Sequence, residues 1–245
     1  MQRSQIVLRI FRGVSMKFRN IFFGFLRTWL LIAIFCSSAL SAGTDMILIL
    51  RDYQYTAADF PPYFLVEDPL NTGNFIKVLE EQNTFQFKTY NLSLEADLES
   101  YKAEVKPILI EWSEKTGLIG KNAKLSKRFS GLMESYVNED FRGLDQGEIH
   151  IATYKGKISA ISYTKDAIVG ENPEINLLVA NPSGLVENQT TLPKGGGSSL
   201  LDYMVRRYEE AGVEKIQLSS VNDEYYLDRG WQIAPKPEGA CGGDG

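Results

Sequence analysis

The spacing of apolar side chains changes several times along this chain, and each change predicts an element. The run 46–50, Met-Ile-Leu-Ile-Leu, has the length and character of a strand. Pro61-Pro62 and Asp68-Pro69 break any long element after it, Asn71-Thr72-Gly73 makes a turn, and 75–81 reads as a short helix. Residues 85–90 alternate cleanly and predict the first core strand, with the segment at Met46 competing for that role. From Leu98 the period lengthens. Leu98, Tyr101, Val105, Ile108, Leu109 and Trp112 form one helical stripe, which Pro107 must kink or restart and Gly117 and Gly120 end. Phe129, Leu132, Met133, Tyr136 and Val137 form a second stripe, with Ser126 as its expected N-cap. Residues 148–154 and 158–163 flank Lys155-Gly156-Lys157 and predict a β-hairpin. Residues 166–174 then lead to a further strand.

The remaining pattern, 174–231, is the most informative. The apolar, β-branched strand 175–179 closes at Asn181-Pro182, and a polar loop follows. Lys194-Gly195-Gly196-Gly197-Ser198-Ser199 then runs directly into Leu200, Leu201, Met204, Val205, Tyr208 and Ala211 at helical spacing, with Gly212 as the stop. A strand over 215–221, Asn222, Tyr225-Tyr226 and Gly230-Trp231 complete it. Glycines at a helix start expose unpaired N–H groups at the positive end of the helix dipole, and no Cβ blocks a close approach. That combination suits a phosphate.

Those residues, taken in order, resemble the acyl-CoA-binding half of the GNAT superfamily of N-acetyltransferases. Gly195 to Leu201 fits the superfamily's Gly-x-Gly-x-x-Leu-Leu core, Asn222 falls after the next strand, and Tyr225-Tyr226-Leu227-Asp228-Arg229-Gly230-Trp231 resembles the (Phe/Tyr)-Tyr-x-x-x-Gly-Phe turn. Two positions depart: Leu192 stands where the superfamily has Gln or Arg, and the loop from Pro182 to Gly195 is longer. The resemblance implies an α/β fold, a GNAT-like mixed, mostly antiparallel sheet flanked by helices and splayed at an acyl-CoA cleft. It implies acetyl-CoA as acyl donor and an amine as acceptor. Leu178 and Val179 would lie along the pantetheine arm. Lys194, Gly195, Gly196, Gly197, Ser198 and Ser199 would surround the pyrophosphate, in a loop that faces solvent when empty, with Asn222 nearby. Tyr226 would be the general acid for the departing thiolate. Glu174, at the start of the cofactor strand, is the candidate base, with Glu148 a weaker one.

Charge is placed unevenly. Residues 1–42 hold Arg3, Arg9, Arg12, Lys17, Arg19 and Arg27 and no acid, so residues 43–245 carry 20 basic against 31 acidic groups. A body with that net of −11 has no general attraction for nucleic acid and tolerates a cationic acceptor. Within 1–42 an apolar run peaks over 29–35, and small residues follow to Ala42. A cleaved signal peptide and a retained membrane-targeting segment are both open. The run, interrupted by Arg27, falls short of the ~20 apolar residues of a spanning helix, which favours the first. The expected organisation is therefore a targeting segment (1–42), an N-terminal extension on the domain edge (43–83), the GNAT-like domain (84–238) and a glycine-rich tail (239–245). The expected location is exported or membrane-anchored, and cytosolic if the segment does not function. Membrane contact would come only through that segment. Removal of 1–42 leaves Cys241 alone of the two cysteines, so no internal disulfide can form.

Other chemistries are disfavoured. His150 is the single histidine, which argues against a His-based triad or a zinc site, and no metal is expected. The glycine loop lacks the Gly-Lys-Ser/Thr ending of a P-loop and the acid of a dinucleotide-binding unit. Two function classes remain: an N-acetyltransferase, and a non-catalytic GNAT-derived binding module. Leu192, the long loop and the targeting segment favour the second; the glycine core and the Tyr226 turn favour the first. N-terminal sequencing of protein from its native host should find Ala42 or Gly43 first. Met16, just before Lys17 and Arg19, is an alternative start, and soluble cytosolic protein retaining it would end the export reading.

Overall fold

In chain order the strands are β1 (Thr44–Ile49), β2 (Tyr63–Glu67), β3 (Phe75–Leu79), β4 (Gln86–Asn91), β5 (Glu148–Tyr154), β6 (Lys157–Lys165), β7 (Glu174–Ala180), β8 (Lys215–Ser220) and β9 (Gln232–Ile233). The α-helices are α1 (Glu95–Glu104), α2 (Lys106–Glu114), α3 (Lys121–Asp140), α4 (Gly196–Glu210) and α5 (Asp223–Leu227). This computed structural model describes residues 43–140, 147–165 and 172–235; the segment 1–42 and the tail 239–245 lie outside the described residues, as does most of the connection after β6.

Seven strands form one sheet in the order β4-β5-β6-β7-β8-β1-β9, and β2 and β3 form a separate hairpin. Every neighbouring pair in the large sheet is antiparallel except β7 and β8, which are parallel. The sheet is thus the expected mixed, mostly antiparallel one flanked by helices. One face packs on α4, with Met46, Leu48, Ala152, Leu200, Leu201, Met204 and Leu218 among its buried side chains. The other packs on α1–α3 through Tyr90, Tyr101, Leu109, Trp112, Met133, Ile149, Ile161 and Val179. The switch from period 2 to a helical period in the sequence matches these layers, since each strand offers alternate residues to opposite helices.

Local sequence explains several joints. Pro107 restarts the first stripe rather than kinking it: it sits in the first turn of α2, where a missing N–H breaks no helical bond. Lys155 and Gly156 both take positive φ, 49° and 75°, the two-residue turn whose twist suits a hairpin.

Three expectations are corrected. Met46 and Leu48 belong to no edge extension: β1 pairs with β8 over six residues and with β9 on its other side, so the sheet begins at Thr44. Only 50–83 stands outside it. Phe75–Leu79 is a strand and not a helix, paired along its length with β2, because its Ile and Val suit an extended partner. Ser126 lies inside α3 and caps nothing; its hydroxyl donates to the Ala180 carbonyl at the end of β7.

His150 is wholly buried on β5. Its Nδ1 lies 2.9 Å from the Thr89 hydroxyl, and its Nε2 lies 3.1 Å from that of Thr164. Burial first, and the nearby Arg207 second, lower its pKa to about 3, so it is a neutral member of a hydroxyl network. An unfolded histidine titrates near ~6.5, so the unfolded chain takes up the proton first as pH falls. Stability carried by this residue is whole above pH ~6.5 and falls by about 1.4 kcal/mol per pH unit toward pH 3. His150→Asn, which cannot take the proton, should flatten that slope in urea unfolding measured between pH 6.5 and 4. Parallel slopes in the two proteins would disprove it.

Candidate functional site

β7 and β8 are joined through only two residue pairs, Glu174↔Gln217 and Ile175↔Leu218, and then part. The parting coincides with a bulge. Thr164 of β6 pairs with Ile175 and Tyr163 with Leu177, so Asn176 is an extra residue in β7. A bulge bends its strand and reverses which face later side chains address. Beyond it Leu177 and Val179 pack toward α1–α3, while Leu178 and Ala180 pack toward α4. Residues 176–180 therefore carry a ladder on the β6 side and open a wedge on the β8 side. The buried Asn176 Oδ1 has no hydrogen-bond partner there.

At the wide end of the wedge the chain turns into α4. Gly195 is the N-cap, with φ 100°, a conformation that strains any side chain, and its carbonyl accepts the first helical bond from Ser199 N–H at 2.9 Å. The amides of Gly196, Gly197 and Ser198 precede that bond and have no acceptor within the helix. Gly196 is needed for a close approach: a Cβ there would stand 2.9 Å from the Ser159 Cβ. Ser159 is itself the residue skipped where the β5–β6 register shifts. Gly197 has room, since a Cβ would meet only Ala180 Cβ at 3.9 Å. The backbone of Leu178 and Val179 thus lies on the open edge of β7, with Leu178 turned to the α4 side and Val179 to the other, and Ala180 at the strand's end lies beside Gly197.

The lengthened loop is ordered by a side chain that sequence reasoning missed. Gln189 donates to the carbonyls of Gly184 and Leu192 and accepts from the amides of Thr191 and Leu192. Nothing in the local pattern distinguishes it from a solvated loop glutamine. Lys194 turns back into the same loop, its Nζ donating to Gly184 O at 2.9 Å, and burial lowers its pKa. Its ammonium is already engaged away from the helix start.

The loop does not lie open. Lys194 and Tyr63 exchange two backbone hydrogen bonds, of 2.8 and 3.2 Å. The Pro61 carbonyl oxygen stands 3.1 Å from where a Gly195 Cβ would be, and the Tyr63 ring 3.6 Å from it. Gly196 and Ser199 are buried, against the expectation of a solvent-facing loop.

The other expected residues divide. Tyr226 is half-buried, edge-on to Trp231 at 5.6 Å, and burial raises its pKa, so its phenol stays protonated. It is the Tyr225 hydroxyl that reaches α4, 2.8 Å from Ser198 Oγ, under the Arg229 guanidinium stacked 3.8 Å from its ring. Asn222 is exposed at the start of α5; its backbone N–H bonds Ser220 Oγ and its side chain caps nothing. Glu174 sits at the closed end of the wedge, six residues from Ala180, or about 20 Å along a strand. Glu148 lies at the same end and is ion-paired with Arg207 at 2.7 Å.

No protein-family model matches the sequence, and no curated protein matches it. Solved structures overlap at low identity. The C-terminal domain of a putative lysylphosphatidylglycerol synthetase from Agrobacterium fabrum is 13% identical, over 73% of this chain and 46% of that one, with a TM-score of 0.42. A ribosomal-protein-alanine N-acetyltransferase from Brucella melitensis is 13% identical, over 59% of this chain and 87% of that one, at 0.35. A tandem GNAT protein from the clavulanic acid biosynthesis pathway is 12% identical, over 78% and 50%, at 0.38. This chain spans about half the length of the first and the third. Overlaps of this quality assign it neither a substrate nor an activity.

Proposed function

We propose that this chain is an acyl-CoA-dependent N-acyltransferase that moves an acetyl group to an amine. The observation that carries the reading is the wedge between β7 and β8 opening beside a glycine-led helix start. In this reading the 176–180 edge of β7 pairs with the pantetheine arm, where Leu178 and Val179 lie, and the amides of Gly196, Gly197 and Ser198 face the pyrophosphate. Ser199, Lys194, Gly195 and Asn222 frame that end. Tyr226 donates a proton to the leaving thiolate, and Glu174 takes one from the amine directly or through water. The second reading, a non-catalytic module of the same fold, is favoured by one observation: Lys194 is engaged with Gly184 and Leu192 offers no charge, so only backbone remains to hold a phosphate. A protein of either kind, exported or anchored through 1–42, is consistent with the sequence.

Gly197→Asp separates folding from binding. A Cβ fits there, and an acid in the first turn favours the helix dipole, so thermal stability should hold or rise slightly. The same carboxylate opposes a phosphate at a helix end worth up to about 2 kcal/mol, so CoA binding in calorimetric titration should weaken by about tenfold to thirtyfold. Equal binding by both proteins would place the cofactor elsewhere, and no binding by the wild type at millimolar CoA would leave the non-catalytic reading.

Tyr226→Phe should lower turnover by about 10²- to 10⁴-fold with little change in acetyl-CoA affinity. An unchanged rate would reduce Tyr226 to packing, and loss in Tyr225→Phe instead would move the role to the neighbour at Ser198.

A further inference from the structure

Between β1 and β2 the chain crosses the outer side of α4 and α5 as a strap, residues 53–63. Its exposed middle buries little: residues 56–59 are exposed, Tyr55, Phe60, Pro61 and Tyr63 are half-buried, and the apolar anchoring is at Tyr53, which packs on the core, and at the buried Pro62. Discrete polar contacts add to these anchors. The Tyr55 hydroxyl donates to Asp228 O at 2.6 Å, and Arg206, paired with Asp202 at 3.2 Å, donates to Tyr55 O. Arg229 lies 5.7 Å from the Phe60 ring centroid and bridges it to Tyr225. The strap ends in the two-bond ladder between Tyr63 and Lys194, next to the glycine turn.

We propose that this strap gates the glycine loop: closed, it sets the Pro61 carbonyl and the Tyr63 ring against Gly195, and it must lift before a phosphate-bearing ligand reaches the helix start. The proposal rests on the phosphate-loop reading above. Its chemistry follows from what faces the loop. A carbonyl oxygen is the dipole end that amides and a helix N-terminus attract, and the Pro61 carbonyl stands against Gly195, the residue just before the first free amide. A carbonyl carries only partial charge, so a diphosphate competes well once the strap moves. Opening is cheap in the physical sense: a segment with exposed backbone and few buried apolar contacts belongs to the low-stability end of a protein's local unfolding. Two fixed points make it a hinged element rather than a loose loop. Leu50 is buried at one end, and at the other Phe64 packs edge-on to Tyr154 at 6.1 Å.

The gate can be locked. Tyr63 and Lys194 exchange both backbone bonds, and residues so paired have Cα atoms about 5.5 Å apart, within disulfide reach. The full chain carrying Tyr63→Cys and Lys194→Cys, with Cys36→Ser and Cys241→Ser, is titrated with CoA oxidised and again after reduction. The oxidised form should bind at least tenfold more weakly than the same variant after reduction. In the unaltered chain the observed association rate should level off as CoA is raised, at the rate of opening. Equal or tighter binding by the oxidised form, failure of the two thiols to cross-link, or a rate that climbs linearly throughout would overturn the gate while leaving the CoA reading standing. Absence of CoA binding in the wild type and the reduced form alike would remove the reading and the gate with it.

Discussion

The feature on which the site depends is an unfinished ladder. The other neighbouring pairs of the sheet run along most of the shorter strand, whereas β7 and β8 give each other up after two residue pairs. A strand edge inside a sheet is costly to leave bare, because buried amides and carbonyls need partners. The surroundings hold this edge in place all the same. Ser126 of α3 takes the Ala180 carbonyl, the Asn181 amide donates to Ser159 O, and Gly196 lies close against Ser159. Together these pin the far end of β7 to β6 and α4, away from β8. The bulge at Asn176 turns the strand where the parting begins. The wedge is therefore a built feature, with its own supports, and its open edge has the hydrogen-bonding character of an extended amide-bearing chain.

The electrostatics of the helix start are almost wholly those of the backbone. Leu192 brings no charge, Lys194 is turned inward, and the body of the chain is acidic. Arg206 and Arg229 are occupied by Asp202, Tyr55 and the ring and carbonyl of Tyr225. An anion held there would be held at short range, by dipoles, with little help from the long-range field.

Much of this was legible in the sequence. The hairpin at Lys155-Gly156, strands β7 and β8, and the glycine-opened α4 all announce themselves through local spacing, because each depends on residues next to one another. What escaped is non-local. The run at Met46 reads as a strand, but only β8, some 170 residues later, makes it an interior one. The segment at Phe75 carries both helical and extended cues, and its partner β2 decides between them. Ser126 has the chemistry of a cap, yet its acceptor is on another element altogether. Gln189 and the Tyr63–Lys194 ladder leave no periodic trace. The same is true of Tyr225 and Tyr226: sequence places the pair at one turn, and only the fold determines which hydroxyl reaches α4.

The position of β1 bears on how the protein is made. Its apolar strand is synthesised about 170 residues before Lys215–Ser220, its long partner in the sheet. At about 5–20 residues per second that wait is roughly ten to thirty seconds. During it, five consecutive uncharged aliphatic residues, 46–50, are free to pair with other chains, the kind of segment from which cross-β aggregation starts. The sheet therefore cannot close progressively from the N-terminus. Its last interior position is filled by the earliest strand, a high-contact-order step expected to be slow. A chain so arranged can pair β4 to β7 early, but it seats β1 only after β8 has been made.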